Sequence, residues 1–164
     1  MPEWLPEIIK LEDFNGDWDN YLEALYNVYL HDFKHARPVF RGIQLSVKWH
    51  PLIKGKEATF WHIISEGEIE DERIPDIRRC ERIPWPKPII ENSNENNIKV
   101  WQNKRKGDKI RICIYFEEIE YLVVIAKRKT KLIFWTSYPV IRRHTKSKLL
   151  KEYNEAKKAE DAII

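Results

Sequence analysis

The sequence predicts an α+β fold, with N-terminal helices packed on an antiparallel sheet of four to six strands and a C-terminal helix closing the chain. Three patterns carry that prediction. Apolar residues recur at helical spacing through residues 18–33, four apolar runs of strand length follow one another between residues 98 and 138, and a second amphipathic stretch occupies residues 149–156.

Taken in order, Asp17 can cap a first helix in which Trp18, Tyr21, Leu22, Leu25, Val28, Tyr29 and Phe33 form one apolar stripe, with acidic residues on the outer side. Pro38 ends that segment. Residues 39–49 read as β-rich, and Pro51 and the loop Lys54-Gly55-Lys56 interrupt them. Residues 59–64 fit a strand or a helix equally. Pro75 in a first helical turn, followed by Asp76, favours a short helix through Ile83, which Pro84, Pro86 and Pro88 then stop to leave a rigid exit.

A polar loop over residues 91–97 precedes strands at 98–104, 110–116, 121–127 and 132–138, joined by short turns as a meander. Residues 121–126 are apolar on both faces and belong at the centre, while Ile110, Ile112, Ile114 and Phe116 alternate with more polar positions. By the same two-residue period, Thr136 and Tyr138 should share a face with Leu132 and Phe134. Leu149, Leu150, Tyr153 and Ala156 make the inner stripe of the last helix, with Thr145 or Ser147 as its cap.

A chain of 164 residues has room for one ordinary core, so residues 1–164 are expected as a single domain, with an acidic helical segment at 1–37 and an α+β core at 38–164. The composition, 43% hydrophobic with 7 tryptophans, is that of an ordered protein. Cys80 and Cys113 are too few and too far apart for a disulfide framework or a zinc site. A reducing cytoplasm is the expected location, since no basic stretch leads into an apolar run and no run has membrane-spanning length.

Charge is unevenly placed. Residues 99–151 hold 15 lysines and arginines against 4 acidic residues, a local +11, whereas residues 1–36 hold 8 acidic residues against 2 lysines. The basic half fits a polyanion such as RNA. The plainer reading is solvated strand and helix surface.

Chemistry concentrates in residues 60–85. Imidazoles titrate near neutrality, which makes His62 a candidate acid or base, and Arg78, Arg79 and Arg82 lie at spacings that cluster guanidinium groups able to hold phosphate. Thr136 and Tyr138 project from one face of the last strand. Cleaving RNA without a metal needs a base for the 2′-hydroxyl, an acid for the leaving oxygen and cations around the phosphorus, and this set offers all three. The alternatives stay open: His62 as a structural histidine, Arg78 paired with Glu81 and Asp76 with Arg79, leaving Arg82 for a ligand.

Several ordered blocks carry a resemblance: Thr59-Phe-Trp-His62, residues 73–83 with Trp85, Val100-Trp101, Tyr121-Leu-Val-Val and Trp135-Thr-Ser-Tyr138. Over about residues 40–153 the chain resembles the phage-type barnase–EndoU–colicin–RelE-like ribonucleases. The resemblance implies a toxin- or effector-like endoribonuclease that works without metal or other cofactor and leaves a 2′,3′-cyclic phosphate. It makes His62, Arg79, Arg82, Thr136 and Tyr138 the candidate catalytic set, with acid and base unassigned and Ser137 a departure from the small residue of many relatives.

Lys54, Lys56, Arg78, Trp85, Lys104 and Arg105 are candidate RNA contacts, the lysines and arginines as guides for the backbone and Trp85 as a base-stacking surface or a packing anchor. His31, His35 and His50 show no partner pattern, and no metal site is expected. The expected partners are RNA and a cognate inhibitor protein, with no membrane. The competing expectation is a non-catalytic RNA- or protein-binding module on a nuclease-like scaffold, or an interaction protein that docks through its acidic first helix.

Overall fold

The structure, a computed structural model, describes residues 1–67 and 73–159. Helix α1 (Trp18–Tyr29) begins where expected: the Asp17 carboxylate accepts the backbone N–H of Asn20 at 3.2 Å and its side-chain amide at 2.9 Å. A π-helical turn, Leu30–His35, continues it and turns Phe33 inward, where its ring meets that of Phe134 at 4.7 Å between centroids.

Two short hairpins follow, β1 (Val39–Phe40) with β2 (Ile43–Gln44), and β3 (Leu52–Ile53) with β4 (Lys56–Glu57). Residues left ambiguous by the sequence form helix α2 (Ala58–Ile64), which buries Phe60, Ile63 and Ile64. Strands β5 (Ser65–Glu66) and β6 (Ile74–Pro75) pair before helix α3 (Ile77–Glu81), whose cap is Asp76, accepting from the Arg78 N–H at 2.8 Å.

Helix α3 stops at Glu81, ahead of the prolines, and the rigid exit they were expected to form holds a further helix, α4 (Pro86–Glu91), with Pro86 at its first position. The reason is that the first turn of a helix has no intrahelical use for its N–H groups, so a residue lacking one fits there without loss.

The meander is as predicted. Strands β7 (Lys99–Arg105), β8 (Lys109–Phe116), β9 (Tyr121–Arg128) and β10 (Lys131–Pro139) form a four-stranded antiparallel sheet in the order β10-β9-β8-β7. Its last connection leads into helix α5 (Arg143–Lys158). Arg142 occupies the N-cap of α5 without a side-chain bond, so Thr145 and Ser147 lie inside the helix instead of capping it.

Residues 121–126 are buried throughout because both faces of β9 are covered. Tyr121, Val123 and Ile125 join Ile112, Ile114 and Phe134 in a large cluster that also holds Tyr21, Leu25 and Tyr29 of α1, Phe60 of α2 and Ile89 of α4. Leu122 and Val124 join Trp101, Cys113 and Tyr115 in a second cluster against Leu149 of α5. Each buried aliphatic side chain contributes ~1.5–3 kcal/mol relative to exposure, so these two layers fix the position of β10, the edge strand that walls the site.

One register feature overturns an expectation. Phe134 lies opposite Ile125 and Thr136 opposite Val124, so Trp135 is an extra residue in β10. Beyond it the inward and outward faces exchange: Leu132 and Phe134 enter the large cluster, while Tyr138, opposite Leu122, packs against the second. Thr136 and Tyr138 therefore do not share the face of Leu132 and Phe134, because a one-residue insertion flips every side chain after it.

Candidate active site

The β3–β4 hairpin folds residue 51 back onto residue 58, and the Ala58 N–H donates to the Pro51 carbonyl at 2.9 Å. Alongside, the Thr59 hydroxyl donates to the Lys48 carbonyl at 2.6 Å. These two bonds set residues 48 and 51, and with them the segment that carries His50, beside the first turn of α2. His62, three residues beyond Thr59, lies on the same helical face.

The opposite wall is the outer edge of β10. Ser46 bridges it, donating to the Leu132 carbonyl at 2.8 Å and accepting from the Phe134 N–H at 2.9 Å. Between these walls lies a half-open cleft of about 300 Å³, lined by Lys48, His50, Pro51, Ala58, Thr59, His62, Arg73, Ile133, Phe134 and Trp135. His62 is half-buried and His50 exposed, so neither imidazole is sealed in the core.

The Arg73 guanidinium closes the C-terminal end of α2. Nη2 donates to the carbonyls of His62, at 3.0 Å, and of Ser65, while Nη1 donates to that of Gly67 at 2.6 Å. Arg79 Nη1 donates to the same Ser65 carbonyl at 2.9 Å, and its guanidinium stands 5.1 Å from the centre of the Tyr138 ring. Two guanidinium groups thus converge on one carbonyl oxygen at the end of a helix. Helix C-termini favour cations, and paired cations raise a positive potential in which an anion is stabilised.

The remaining candidates are distributed as follows. Arg82 faces its own helix: Nη1 donates to the Arg78 carbonyl at 3.1 Å and pairs with Glu81 at 3.2 Å, and the guanidinium covers Trp85 at 5.2 Å. Asp76 caps the helix, so the pairing expected to leave Arg82 for a ligand is reversed. Arg78 is exposed on α3. Trp85 is only 4% exposed, its Nε1–H donates to the Pro6 carbonyl at 2.8 Å and its ring meets Tyr121 edge-on at 5.4 Å. It is a core anchor and presents no face to a base.

Lys56 is engaged by Glu23 at 2.7 Å and lies over Tyr26 at 5.0 Å, which leaves Lys54, exposed at the hairpin tip, as the hairpin's outward cation. Lys104 is exposed on β7, the sheet edge remote from β10, and the side chain of Arg105 lies outside the described residues. Thr136 is half-buried. Of the sequence-derived set, the structure brings His62 into the cleft, sets Arg79 and Tyr138 together beside Arg73, and holds Arg82 and Trp85 apart.

Sequence reasoning missed His50, Arg73 and Trp135. The signal for His50 was present: if Lys54-Gly55 is read as a hairpin tip, residue 50 must fall near residue 59 and hence near His62. Cys80 is no nucleophile, because burial, with Asp76 adding to it, pushes its thiol up to about 12, and Sγ faces the Ile64 carbonyl at 3.8 Å. Among the described residues, no three His, Cys, Asp or Glu side chains gather at one point, and no helix is long and apolar enough to cross a membrane. No family model and no solved structure matches this chain.

Proposed function

We propose that this chain is a metal-independent endoribonuclease acting in the cleft between α2 and β10. The observation that carries the reading is that His50, His62, Lys48 and Arg73 all line one half-open cleft. One imidazole takes the proton of the ribose 2′-hydroxyl, and the 2′-oxygen bonds to phosphorus. The other imidazole donates its proton to the 5′-oxygen as the P–O5′ bond breaks, leaving a 2′,3′-cyclic phosphate and a free 5′-hydroxyl. Arg73 and Lys48 offset the charge that builds on the phosphorane oxygens.

In this reading Arg79 is a positioning residue, acting through the Ser65 carbonyl that it shares with Arg73, and Tyr138 supports its guanidinium. The resemblance to phage-type barnase–EndoU–colicin–RelE-like ribonucleases adds a toxin- or effector-like role in the cytoplasm, with an inhibitor protein as partner. The test is incubation of purified protein with mixed RNA in excess chelator, with the product ends identified. Cyclic phosphate ends support the proposal. RNA left intact by folded protein contradicts it.

A second reading, a non-catalytic binding module, is favoured by one observation. Arg82, an expected catalytic cation, pairs with Glu81 and faces its own helix, whereas Lys54 and Lys104, expected backbone contacts, are exposed. Salt-dependent RNA binding without product would select it.

A further inference from the structure

The extra residue in β10 is a tryptophan, and it is 43% exposed. A bulge re-aims one side chain, and this one re-aims the largest side chain available into the rim of the cleft that holds His50 and His62. The Arg111 guanidinium lies 4.3 Å from the centre of the Trp135 ring while Arg111 itself is only 7% exposed, so the cation backs the indole from within the protein. Arg111 also lines a second groove, of about 390 Å³, with Lys109, Lys127, Arg128 and Lys129. Trp135 thus lines the cleft of His50 and His62, and the arginine behind its ring lines a cationic trough.

Resting on the ribonuclease reading, we propose that Trp135 is a base-stacking platform, that the substrate is single-stranded RNA, and that the strand leaves the cleft across Trp135 toward the cationic trough. Unpaired bases have a free face that an indole can stack on, and every base has one, so such a plate selects strandedness rather than sequence. In a duplex both faces of each base are already stacked. The lysines and arginines of the trough meet the phosphates on the far side of the stacked base, and binding should weaken as salt rises.

The test uses a fluorescent 2′-O-methyl oligonucleotide, which has no free 2′-hydroxyl and so measures binding without cleavage, alone and annealed to its complement. Wild type should bind the single strand in preference to the duplex. Trp135→Ala should weaken single-strand binding about 5- to 150-fold, the span corresponding to ~1–3 kcal/mol per stacked base, and Trp135→Phe should lose less. Equal affinity of wild type and Trp135→Ala at matched thermal stability overturns the inference, as does failure of wild type to bind the single strand. The two proposals fail separately: cleavage of RNA with no role for Trp135 in binding sinks this one alone, and Trp135-dependent binding without cleavage sinks the ribonuclease alone.

Discussion

Replacing Trp85 by alanine should damage the fold and leave the RNA surface untouched. The indole is 4% exposed, meets the Tyr121 ring edge-on at 5.4 Å and donates to the Pro6 carbonyl at 2.8 Å. Truncating a buried aromatic residue costs ~3–5 kcal/mol, and the orphaned Pro6 carbonyl falls within that loss or adds about 1 kcal/mol. For a chain of this length, each kcal/mol moves the melting temperature by about 2–4 °C, so Trp85→Ala should melt roughly 6–20 °C below wild type. Trp85→Phe keeps most of the packing and loses the hydrogen bond, for a cost of about 1–2 kcal/mol.

The assay is thermal unfolding followed by circular dichroism, with single-strand oligonucleotide affinity measured on the folded variants. A Trp85→Phe protein that keeps wild-type stability but loses affinity would refute the assignment of Trp85 to the core and Trp135 to the ligand.

Other substitutions probe the surroundings of the cleft. Cys80, whose thiol burial pushes up to about 12, should resist alkylation at pH 8 in native protein and react once urea unfolds the chain, as mass spectrometry would show. The Tyr26 phenol, pushed up to about 12 by burial first and by its 2.8 Å bond to the Glu57 carboxylate second, favours the neutral form in the fold. Its stabilising contribution is complete below pH 10.0 and is lost as pH rises toward about 12, so the urea midpoint should fall further across that window in wild type than in Tyr26→Phe. Arg79→Ala removes a donor to the Ser65 carbonyl and the cation above Tyr138, and should cost about 1–2 kcal/mol in urea unfolding while lowering cleavage more than RNA affinity.

The regular parts of the fold were readable because each rests on a short-range pattern. Residues 98–138 alternate or run apolar at strand length and turn at Gly107, Glu117–Ile119 and Lys129, so the four strands follow from period alone. Asp17 ahead of an apolar stripe likewise located α1. The faces of Thr136 and Tyr138 were not readable, because a bulge at Trp135 leaves no mark in the hydrophobic pattern and yet reverses everything after it.

Helix α4 was not readable for a related reason: the same residue that ends one helix can open the next, and only the tertiary packing of Ile89 and Ile90 decides which. The cleft was half legible. His62 stood out as an imidazole among arginines; His50 reaches it only once Lys54-Gly55 is read as a hairpin tip, and Trp135 arrives by a sheet edge that no local spacing links to either. Trp85 was drawn toward function by its neighbours in sequence, although its indole is buried against Tyr121 and Pro6.

The claim on which the functional account stands is that two imidazoles act on one phosphodiester. The most direct measurement is kcat/KM for chelator-treated wild type, His50→Ala, His62→Ala and the double variant on one RNA, each checked for wild-type melting. Either single variant should lose about 10²- to 10⁴-fold and the double variant should be little worse than the poorer single, since an acid and a base acting in one step fail together. Wild-type rates in folded His62→Ala, or losses that multiply in the double variant, would contradict the claim.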